Sequence, residues 1–171
     1  MSKSAYLLMG EPGCGKTTLL RQVASTMQLR VAGFYTEDLR SSGRRDAFRI
    51  VTLEGEMALL AADGHPGPVK VSKYGVDVNE FERVGVTAVR RGLDQGHVLI
   101  IDEIGRMQLY SRTFRRTVMD AISAGHPLLA TIMRGRNPYA DRIKALGNAE
   151  LRTVTEDNRD GLLAELRQVF V

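Results

Sequence analysis

The residues best suited to chemistry form one glycine-rich stretch near the amino terminus. It consists of Gly10, Glu11, Pro12, Gly13, Cys14, Gly15, Lys16, Thr17 and Thr18. This stretch fits the pattern G-x-x-x-x-G-K-[ST], in which glycines let the backbone curl so that successive N–H groups point at one phosphate. All of these residues are therefore predicted to bind a nucleotide, and a nucleoside triphosphate is the first partner that the sequence indicates.

Two side chains of this stretch have further predicted roles. Lys16 would put a mobile positive charge between the β- and γ-phosphates, which makes it a candidate catalytic residue. The pattern puts the hydroxyl of Thr17 where a Mg²⁺ ion that bridges those phosphates needs an oxygen ligand. Mg²⁺ is accordingly the cofactor that we expect.

A second chemical landmark is the segment His97–Glu103, an apolar run that ends in two consecutive carboxylates. A continuous apolar run predicts a strand buried on both faces of a parallel sheet, and ligands bind at the carboxyl ends of such strands. Asp102 is predicted to contact the nucleotide and, with Thr17, to hold Mg²⁺. Glu103 is predicted to contact the nucleotide and to act catalytically, by orienting and partly deprotonating the water that attacks the γ-phosphate.

Phosphoryl transfer also needs a positive charge near the γ-phosphate, and the sequence leaves its source open. We rank Arg44, Arg45 and Arg159 first as catalytic candidates. Three further arginines next to predicted sheet elements stay open as alternatives: Arg106, Arg134 and Arg136. The stretch Thr155–Arg159 follows a predicted strand at the carboxyl edge of the sheet, so it is a candidate to approach the nucleobase, with Asn158 as a nucleotide-binding residue.

The glycine-rich stretch needs a strand before it and a helix after it, and the sequence predicts both. Ala5–Met9 is an apolar run of strand length, and apolar residues recur at helical spacing over Thr18–Met27. Arg30–Asp38 predicts a second strand, with Ala47–Leu53 as its antiparallel partner. The basic segment Leu39–Arg45 between them is predicted to be a mobile turn.

The remainder of the chain alternates between predicted helices and strands. Helices are predicted to begin at Asp77 and Ser111, and a last helix is predicted to follow Thr155 as its cap. Pro127–Ile132 and Glu150–Val154 are predicted strands. This order predicts an α/β protein with the three-layer αβα fold of P-loop NTPases, in which a mostly parallel central sheet carries an added antiparallel hairpin.

Length and composition limit the classes of protein to which the chain can belong. Its 171 residues, 43% of them hydrophobic, predict a single domain over residues 1–171. The sequence has no apolar run of bilayer length, its first residues are not expected to form a leader, and its single cysteine excludes an internal disulfide. We therefore expect a soluble, cytoplasmic monomer without a membrane partner.

The net charge of +4 reflects an excess of arginine. Arg112, Arg115 and Arg116 share one predicted helix with few aromatic residues, a pattern that is typical of a solvated face rather than of a nucleic-acid surface. Nucleic acid is therefore not among the expected partners.

With these residues taken together, the chain resembles the small P-loop nucleoside-triphosphatases related to the human cancer-related NTPase and its thermophile homologues. The resemblance covers almost the whole length and rests, beyond the two landmarks, on Gly33–Glu37, Gly43–Arg45, Phe48, Lys73–Asp77, Asp102–Gly105 and Thr155–Arg159. One position departs from the family, which usually carries lysine where this chain has Arg106. The positive charge survives there, but a planar guanidinium replaces a compact ammonium group.

The resemblance implies Mg²⁺-dependent hydrolysis of ATP, GTP, CTP and UTP to the diphosphate and phosphate, slowly and with little base preference. Two other functions stay open at this point. A nucleoside or nucleotide kinase shares the phosphate-binding loop but transfers the phosphoryl group to an acceptor, for which it needs a pocket. A nucleotide-dependent switch or nucleic-acid accessory module would use slow hydrolysis to reset its binding.

Overall fold

The computed structural model describes residues 2–171, and it begins with the predicted strand, loop and helix. β1 (Ala5–Met9) is almost fully buried, and α1 (Lys16–Thr26) begins directly after the glycine-rich loop. Gly15 turns the loop into the helix with a left-handed φ of 96°, a conformation that costs glycine little. The helix begins earlier than predicted, so Lys16 and Thr17 belong to its first turn.

The other strands are β2 (Val31–Ser41), β3 (Arg44–Thr52), β4 (Met57–Asp63), β5 (Lys70–Val71), β6 (Tyr74–Val76), β7 (Val98–Ile104), β8 (Leu128–Ile132) and β9 (Ala149–Thr153). In the described part of the chain they form one sheet in the order β5-β6-β4-β3-β2-β7-β8-β1-β9. The half from β2 to β9 is parallel. The strands β3 to β6 extend it with antiparallel pairs. The predicted α/β class is confirmed, although the antiparallel extension is larger than one hairpin.

Helices cover both faces of this sheet. Beside α1 they are α2 (Val78–Phe81), α3 (Thr87–Asp94), α4 (Arg112–Ser123), α5 (Pro138–Lys144) and α6 (Arg159–Val169), with a π-helical segment, Glu82–Val86, between α2 and α3. α1 and α6 share one core with Leu8 and Ile100, whereas α3, α4 and α5 share the other with Leu7 and Leu99. Successive residues of a strand thus face opposite cores, which confirms the three-layer arrangement. No helix within residues 2–171 is long and apolar enough to cross a membrane.

The turn between β2 and β3 is shorter than predicted. Instead of a turn over residues 39–45, the strands pair out to Ser41 and Arg44. Only Ser42 and Gly43 remain in the turn, with φ angles of 50° and 78°. Two successive positive φ angles are characteristic of tight hairpin turns whose twist matches that of the paired strands. The prediction of a turn over residues 39–45 was therefore wrong, because Ser42 and Gly43 alone connect the two strands.

β7 contains both carboxylates near its end, as predicted, and extends one residue beyond them to Ile104. Its pairing with β8 shifts register between Ile101 and Ile104. The peptide bond between Asp102 and Glu103 is cis. Because the register shift falls at these two residues, both carboxylates lie where the regular pairing of the parallel strands is interrupted.

Candidate active site

The glycine-rich loop holds Lys16 over its own carbonyl groups. Lys16 Nζ donates hydrogen bonds to the carbonyl oxygens of Gly10, at 2.7 Å, and Glu11, at 2.9 Å. A Cβ atom on Gly10 would lie 2.5 Å from the Val154 carbonyl oxygen and 2.7 Å from Cys14 Sγ, so only glycine allows this close packing. The ammonium group is therefore held at the loop in which the sequence predicted a phosphate-binding charge.

Two threonine hydroxyls hold the carboxylate of Asp102. Thr17 Oγ1 donates to Oδ2 at 2.8 Å, and Thr131 Oγ1, from β8, donates to Oδ1 at 2.6 Å. Asp102 is only 5% exposed. Its burial raises the pKa of the carboxyl, and the hydrogen bonds from Thr131 and Thr17 act in the opposite direction. One carboxylate thereby connects the phosphate-binding loop to the middle of the parallel sheet.

Thr17 and Asp102 offer the kind of ligands that Mg²⁺ takes at nucleotide sites. The two oxygens, Oγ1 and Oδ2, are 2.8 Å apart, and Mg²⁺ prefers oxygen ligands. Residues 2–171 contain no group of three or more His, Cys, Asp or Glu side chains that could hold a metal. Mg²⁺ does not need one, because it is usually bound by one or two carboxylates together with substrate phosphates and water. These residues therefore fit a Mg²⁺ ion that arrives with a nucleotide.

Glu103 is half-buried beside Asp102, and its carboxylate accepts no hydrogen bond from residues 2–171. Burial raises the pKa of this carboxyl, the negative charge of Asp102 raises it further, and Lys16 opposes both effects. A carboxylate with a raised pKa and unused acceptor oxygens is suited to take a proton from water. Glu103 thus has the chemical properties expected of the predicted base.

These groups line a cavity of about 500 Å³. The parallel half of the sheet and the loops after it contribute Pro12, Lys16, Thr17, Asp102, Glu103, Arg106, Met107, Gln108, Thr131 and Met133. The strand β2 and the antiparallel strands contribute Thr36, Asp38, Arg45, Phe48, Leu60 and Val71. The cavity therefore has a mainly polar side at the phosphate-binding loop and a more apolar side at the extension.

The structure separates the candidate arginines into two groups. Arg45 lines the cavity, where its guanidinium lies 2.8 Å from Asp38 Oδ2. Arg106 is exposed and lines the same cavity. Arg44 and Arg136 are exposed and lie outside its lining. Of the two hairpin arginines ranked first from the sequence, Arg45 is thus the one that the fold brings near the carboxylates.

Arg159 and Arg134 contact the phosphate-binding loop without lining the cavity. Arg159 Nη1 donates to the carbonyl oxygen of Cys14 at 3.4 Å, and its side chain fills the space beside Gly15. Arg134 forms an ion pair with Glu11. Sequence reasoning ranked Arg159 with the arginines for the γ-phosphate, but its contacts are with the backbone of the loop.

Asn158 organises the loop before α6. Its Oδ1 accepts a hydrogen bond from the Thr155 N–H at 2.8 Å, and its Nδ2 donates to the Thr153 carbonyl at 2.8 Å. Thr155 Oγ1 accepts from the Asn158 N–H at 3.1 Å. Thr155 was predicted to be the N-cap of α6, but the helix begins after Asn158, which is therefore its N-cap. The amide of Asn158, which the sequence predicted to bind the nucleotide, is thus bonded within its own loop.

Sequence reasoning missed Gln108 as a site residue. It follows β7 in a short 3₁₀ segment, Gln108–Tyr110, and is only 2% exposed. Its Nε2 donates to Thr36 Oγ1 at 3.1 Å, and both side chains line the cavity. The pairing of β2 with β7 brings the two residues together. No phosphate-binding sequence pattern includes Gln108 or Thr36. The only feature of the sequence that could have indicated Gln108 is that a polar residue follows shortly after Glu103.

Comparisons with known proteins agree with this geometry. A family profile described as NTPase matches residues 5–167. The nucleoside-triphosphatase THEP1 of Thermotoga petrophila is 39% identical over 164 residues, which cover 96% of this chain and 91% of that protein. The crystal structure of THEP1 from the hyperthermophile Aquifex aeolicus is similar with a TM-score of 0.85 and 34% identity, covering 97% of this chain and 98% of the other. The solution structure of a human cancer-related nucleoside triphosphatase is similar with a TM-score of 0.80 and 32% identity, covering 96% of each chain.

Proposed function

This chain belongs to the NTPase family, and from that membership and the geometry of its site we propose that it hydrolyses nucleoside triphosphates to diphosphate and phosphate with Mg²⁺. The resemblance seen in its motifs is confirmed. The proposal rests above all on the arrangement of two neighbouring carboxylates. Asp102 is bound by Thr17 of the phosphate-binding loop, while Glu103 keeps its oxygens free toward the same cavity.

The loop and Lys16 bind the phosphates in this proposal. Backbone N–H groups of the loop and the positive amino-terminal end of α1 attract the anion. Lys16 Nζ, which donates to the carbonyls of Gly10 and Glu11, exchanges these partners for phosphate oxygens. Arg134 is paired with Glu11, so it balances the one carboxylate of the loop and would prevent it from repelling the phosphates.

Thr17 and Asp102 would hold Mg²⁺ on the nucleotide. When bound, the ion supplies neutralisation of the negative charge on the β- and γ-phosphates. Thr131 acts through Asp102, because its hydroxyl fixes the direction of that carboxylate. Removal of a residue that orients a metal ligand in this way typically lowers metal affinity by about 10- to 100-fold.

Glu103 accepts a proton from the attacking water. The water oxygen forms a bond to the γ-phosphorus, the bond from that phosphorus to the bridging oxygen breaks, and its electron pair leaves with the diphosphate. Arg45 or Arg106 then stabilises the charge on the transferred group, since both line the cavity. Arg45 has to release Asp38 before it can do so.

We further propose that the four common triphosphates, ATP, GTP, CTP and UTP, are hydrolysed slowly and at similar rates. The amide of Asn158, which could otherwise distinguish bases, is used within its own loop. Enzymes of this class with an arginine in the same chain turn over at roughly 10⁻² s⁻¹. A rate of that order is what we expect here.

The chain is also proposed to act as a cytoplasmic monomer. The one cysteine, Cys14, is a free thiol. Sedimentation equilibrium with and without nucleotide tests the monomer. Retention of activity in a reducing buffer is expected for a protein of the cytoplasm.

The decisive experiment measures phosphate release from the four triphosphates with Mg²⁺, for the wild type and Glu103→Gln, with no other protein or acceptor present. Turnover that the substitution removes supports a self-contained hydrolase. Tight nucleotide binding without phosphate release would contradict it.

One observation favours a second candidate function, phosphoryl transfer to a small acceptor. The cavity of about 500 Å³ is not confined to the residues proposed to bind the phosphates and Mg²⁺ but extends to the antiparallel strands. Its lining there includes the apolar residues Phe48, Leu60 and Val71. A kinase would form a phosphorylated product when its acceptor is added, whereas a hydrolase would release phosphate at the same rate with or without acceptor, so measurements with and without candidate acceptors separate the two functions.

A further inference from the structure

Gln108 directs the two ends of its buried amide to different places. Its Nε2 donates to Thr36 Oγ1 at 3.1 Å, whereas its Oε1 accepts no hydrogen bond from residues 2–171. Buried amide groups normally satisfy both ends. The Oε1 atom is not among the enclosed atoms without a partner, so it is the end that reaches the open space of the cavity.

The free oxygen of Gln108 lies in the same corner of the cavity as the free carboxylate of Glu103. A Cβ atom on Gly105 would lie 2.6 Å from Glu103 Oε1 and 2.9 Å from Gln108 Oε1. A Cβ atom essentially never lies this close to another atom, so with a side chain at this position the ends of Glu103 and Gln108 would have to shift. The lack of a side chain at Gly105 is therefore what allows both oxygens to approach this corner.

We propose that Gln108 is a second acceptor for the attacking water, beside Glu103, in the hydrolysis proposed above. A water molecule has two O–H groups and can donate to two acceptors at once. With a single acceptor it rotates about one hydrogen bond. With two, its remaining lone pair has a fixed direction, and a nucleophile fixed in the direction of attack has less entropy to lose.

The two acceptors have different parts in the reaction. Water forms the new oxygen–phosphorus bond, the bond to the bridging oxygen breaks with its electron pair on the diphosphate, and one water proton passes to Glu103. The other proton stays on the water oxygen and is only held by Gln108, because an amide oxygen is a far weaker base than a carboxylate. Thr36 Oγ1 holds the Nε2 end of the amide, and the Oε1 end is therefore the one left for the cavity.

The test compares kcat, KM, nucleotide affinity and Tm among Gln108→Met, Gln108→Glu and the wild type. Methionine has a similar length but no acceptor oxygen, and we expect it to lower kcat about 10²-fold, the scale of a misplaced reactant. Affinity for a fluorescent ATP analogue and Tm should stay unchanged. Glutamate keeps an acceptor and should recover at least about 10-fold of the lost rate.

Two further variants keep the proposal open to failure. Gln95→Met changes an exposed glutamine and should leave kcat unaltered. Thr36→Val removes the acceptor that orients the amide and should lower kcat with little change in KM, even if Gln108→Met folds poorly.

A folded Gln108→Met protein with the wild-type kcat would overturn the inference. Equal losses in the methionine and glutamate variants would overturn it too, because they would indicate a packing role only. If Glu103→Gln loses turnover while Gln108→Met keeps it, the proposed hydrolysis is supported and the proposed role of Gln108 is refuted. If the wild type releases no phosphate, both proposals fail.

Discussion

Thr17 and Asp102 are 85 positions apart in the sequence, yet Thr17 Oγ1 donates a hydrogen bond to Asp102 Oδ2 at 2.8 Å. The bond thus connects the first turn of α1 to the strand β7. Thr131 occupies the other oxygen of the same carboxylate. A buried carboxylate with both oxygens bonded keeps one orientation, which is what an ion site on a nucleotide needs.

Thr131→Val should therefore weaken Mg²⁺ binding without changing the contacts between the protein and the nucleotide. Valine has the shape of threonine but cannot donate to Asp102, so the carboxylate loses one of the bonds that orient it. We expect the Mg²⁺ concentration that half-saturates binding of a fluorescent ATP analogue to rise about 10-fold or more. Thr131→Ser keeps the hydroxyl and should behave like the wild type, and equal effects of the two changes would contradict this role.

Lys16→Ala should abolish turnover and weaken nucleotide binding. The substitution removes the charge that the loop holds over Gly10 and Glu11, and backbone N–H groups alone hold the phosphates less tightly. The measurement is phosphate release together with the Kd for ATP. Lys3→Ala is the matched control, since Lys3 bonds to the Gly147 carbonyl far from the loop. Ordinary activity in Lys16→Ala would refute the phosphate-binding assignment.

The rate of hydrolysis should fall in mild acid, at a pH above the usual range of a glutamate. Burial, and then the charge of Asp102, raises the pKa of Glu103, and only the ionised carboxylate accepts the proton from water. Activity is thus present above the raised pKa and is lost as the pH falls through it. The pH profile of kcat/KM, which reports the protein before nucleotide and Mg²⁺ bind, tests this.

Glu103→Gln should lose about 10²-fold or more in rate, and its residual activity should lack this acid limb. A wild-type limb within the ordinary glutamate range would argue against the raised pKa. A limb that survives in the variant would assign the titration to another group.

Much of this site could be predicted from the sequence because its parts are local. The phosphate-binding loop depends on glycines and Lys16 at fixed spacing, and the strand before it and the helix after it are short-range patterns. Asp102 and Glu103 stand at the end of an apolar run, which predicts their place at the edge of the sheet. The strand–loop–helix unit and the location of the carboxylates are accordingly both seen in the structure.

Other parts depend on pairing between distant strands, which a pattern along the chain does not contain. Gln108 becomes a site residue only because β2 brings Thr36 beside the segment after β7. Arg45 reaches the cavity while Arg44 does not, because neighbouring residues of a strand face opposite sides. The register of β2 and β3 decides which of these two arginines faces the cavity. That register depends on the short turn at Gly43, which the sequence analysis did not predict.

Arg45→Ala and Arg106→Ala should each be compared with Arg44→Ala. The arginine that stabilises the transferred phosphoryl group should lower kcat about 10²-fold when removed, with little effect on nucleotide affinity. Arg44 lies outside the cavity, so its removal should be nearly neutral. If neither Arg45→Ala nor Arg106→Ala slows the reaction, the charge comes from elsewhere, and a search for an activating partner would follow.

Gly105→Ala should reduce kcat about 10²-fold while the protein stays folded. The added methyl group would press on Glu103 Oε1 and Gln108 Oε1, and both acceptors would have to move. Gly147→Ala is the control, since open space surrounds that glycine. Wild-type kcat in Gly105→Ala would mean that the corner has more room than the distances indicate.

The two sides of the cavity come from parts of the sheet with opposite architecture. The parallel half carries the residues that any phosphoryl transfer requires, among them Lys16, Thr17 and Asp102, whereas the antiparallel extension carries Phe48 and Val71. Substitutions of Phe48 and Val71 are therefore expected to alter which molecule fits in the cavity, while Lys16, Thr17 and Asp102 stay in place. Relatives of this chain would then differ in specificity where these apolar residues of the extension vary, provided that Arg45 on β3 is kept.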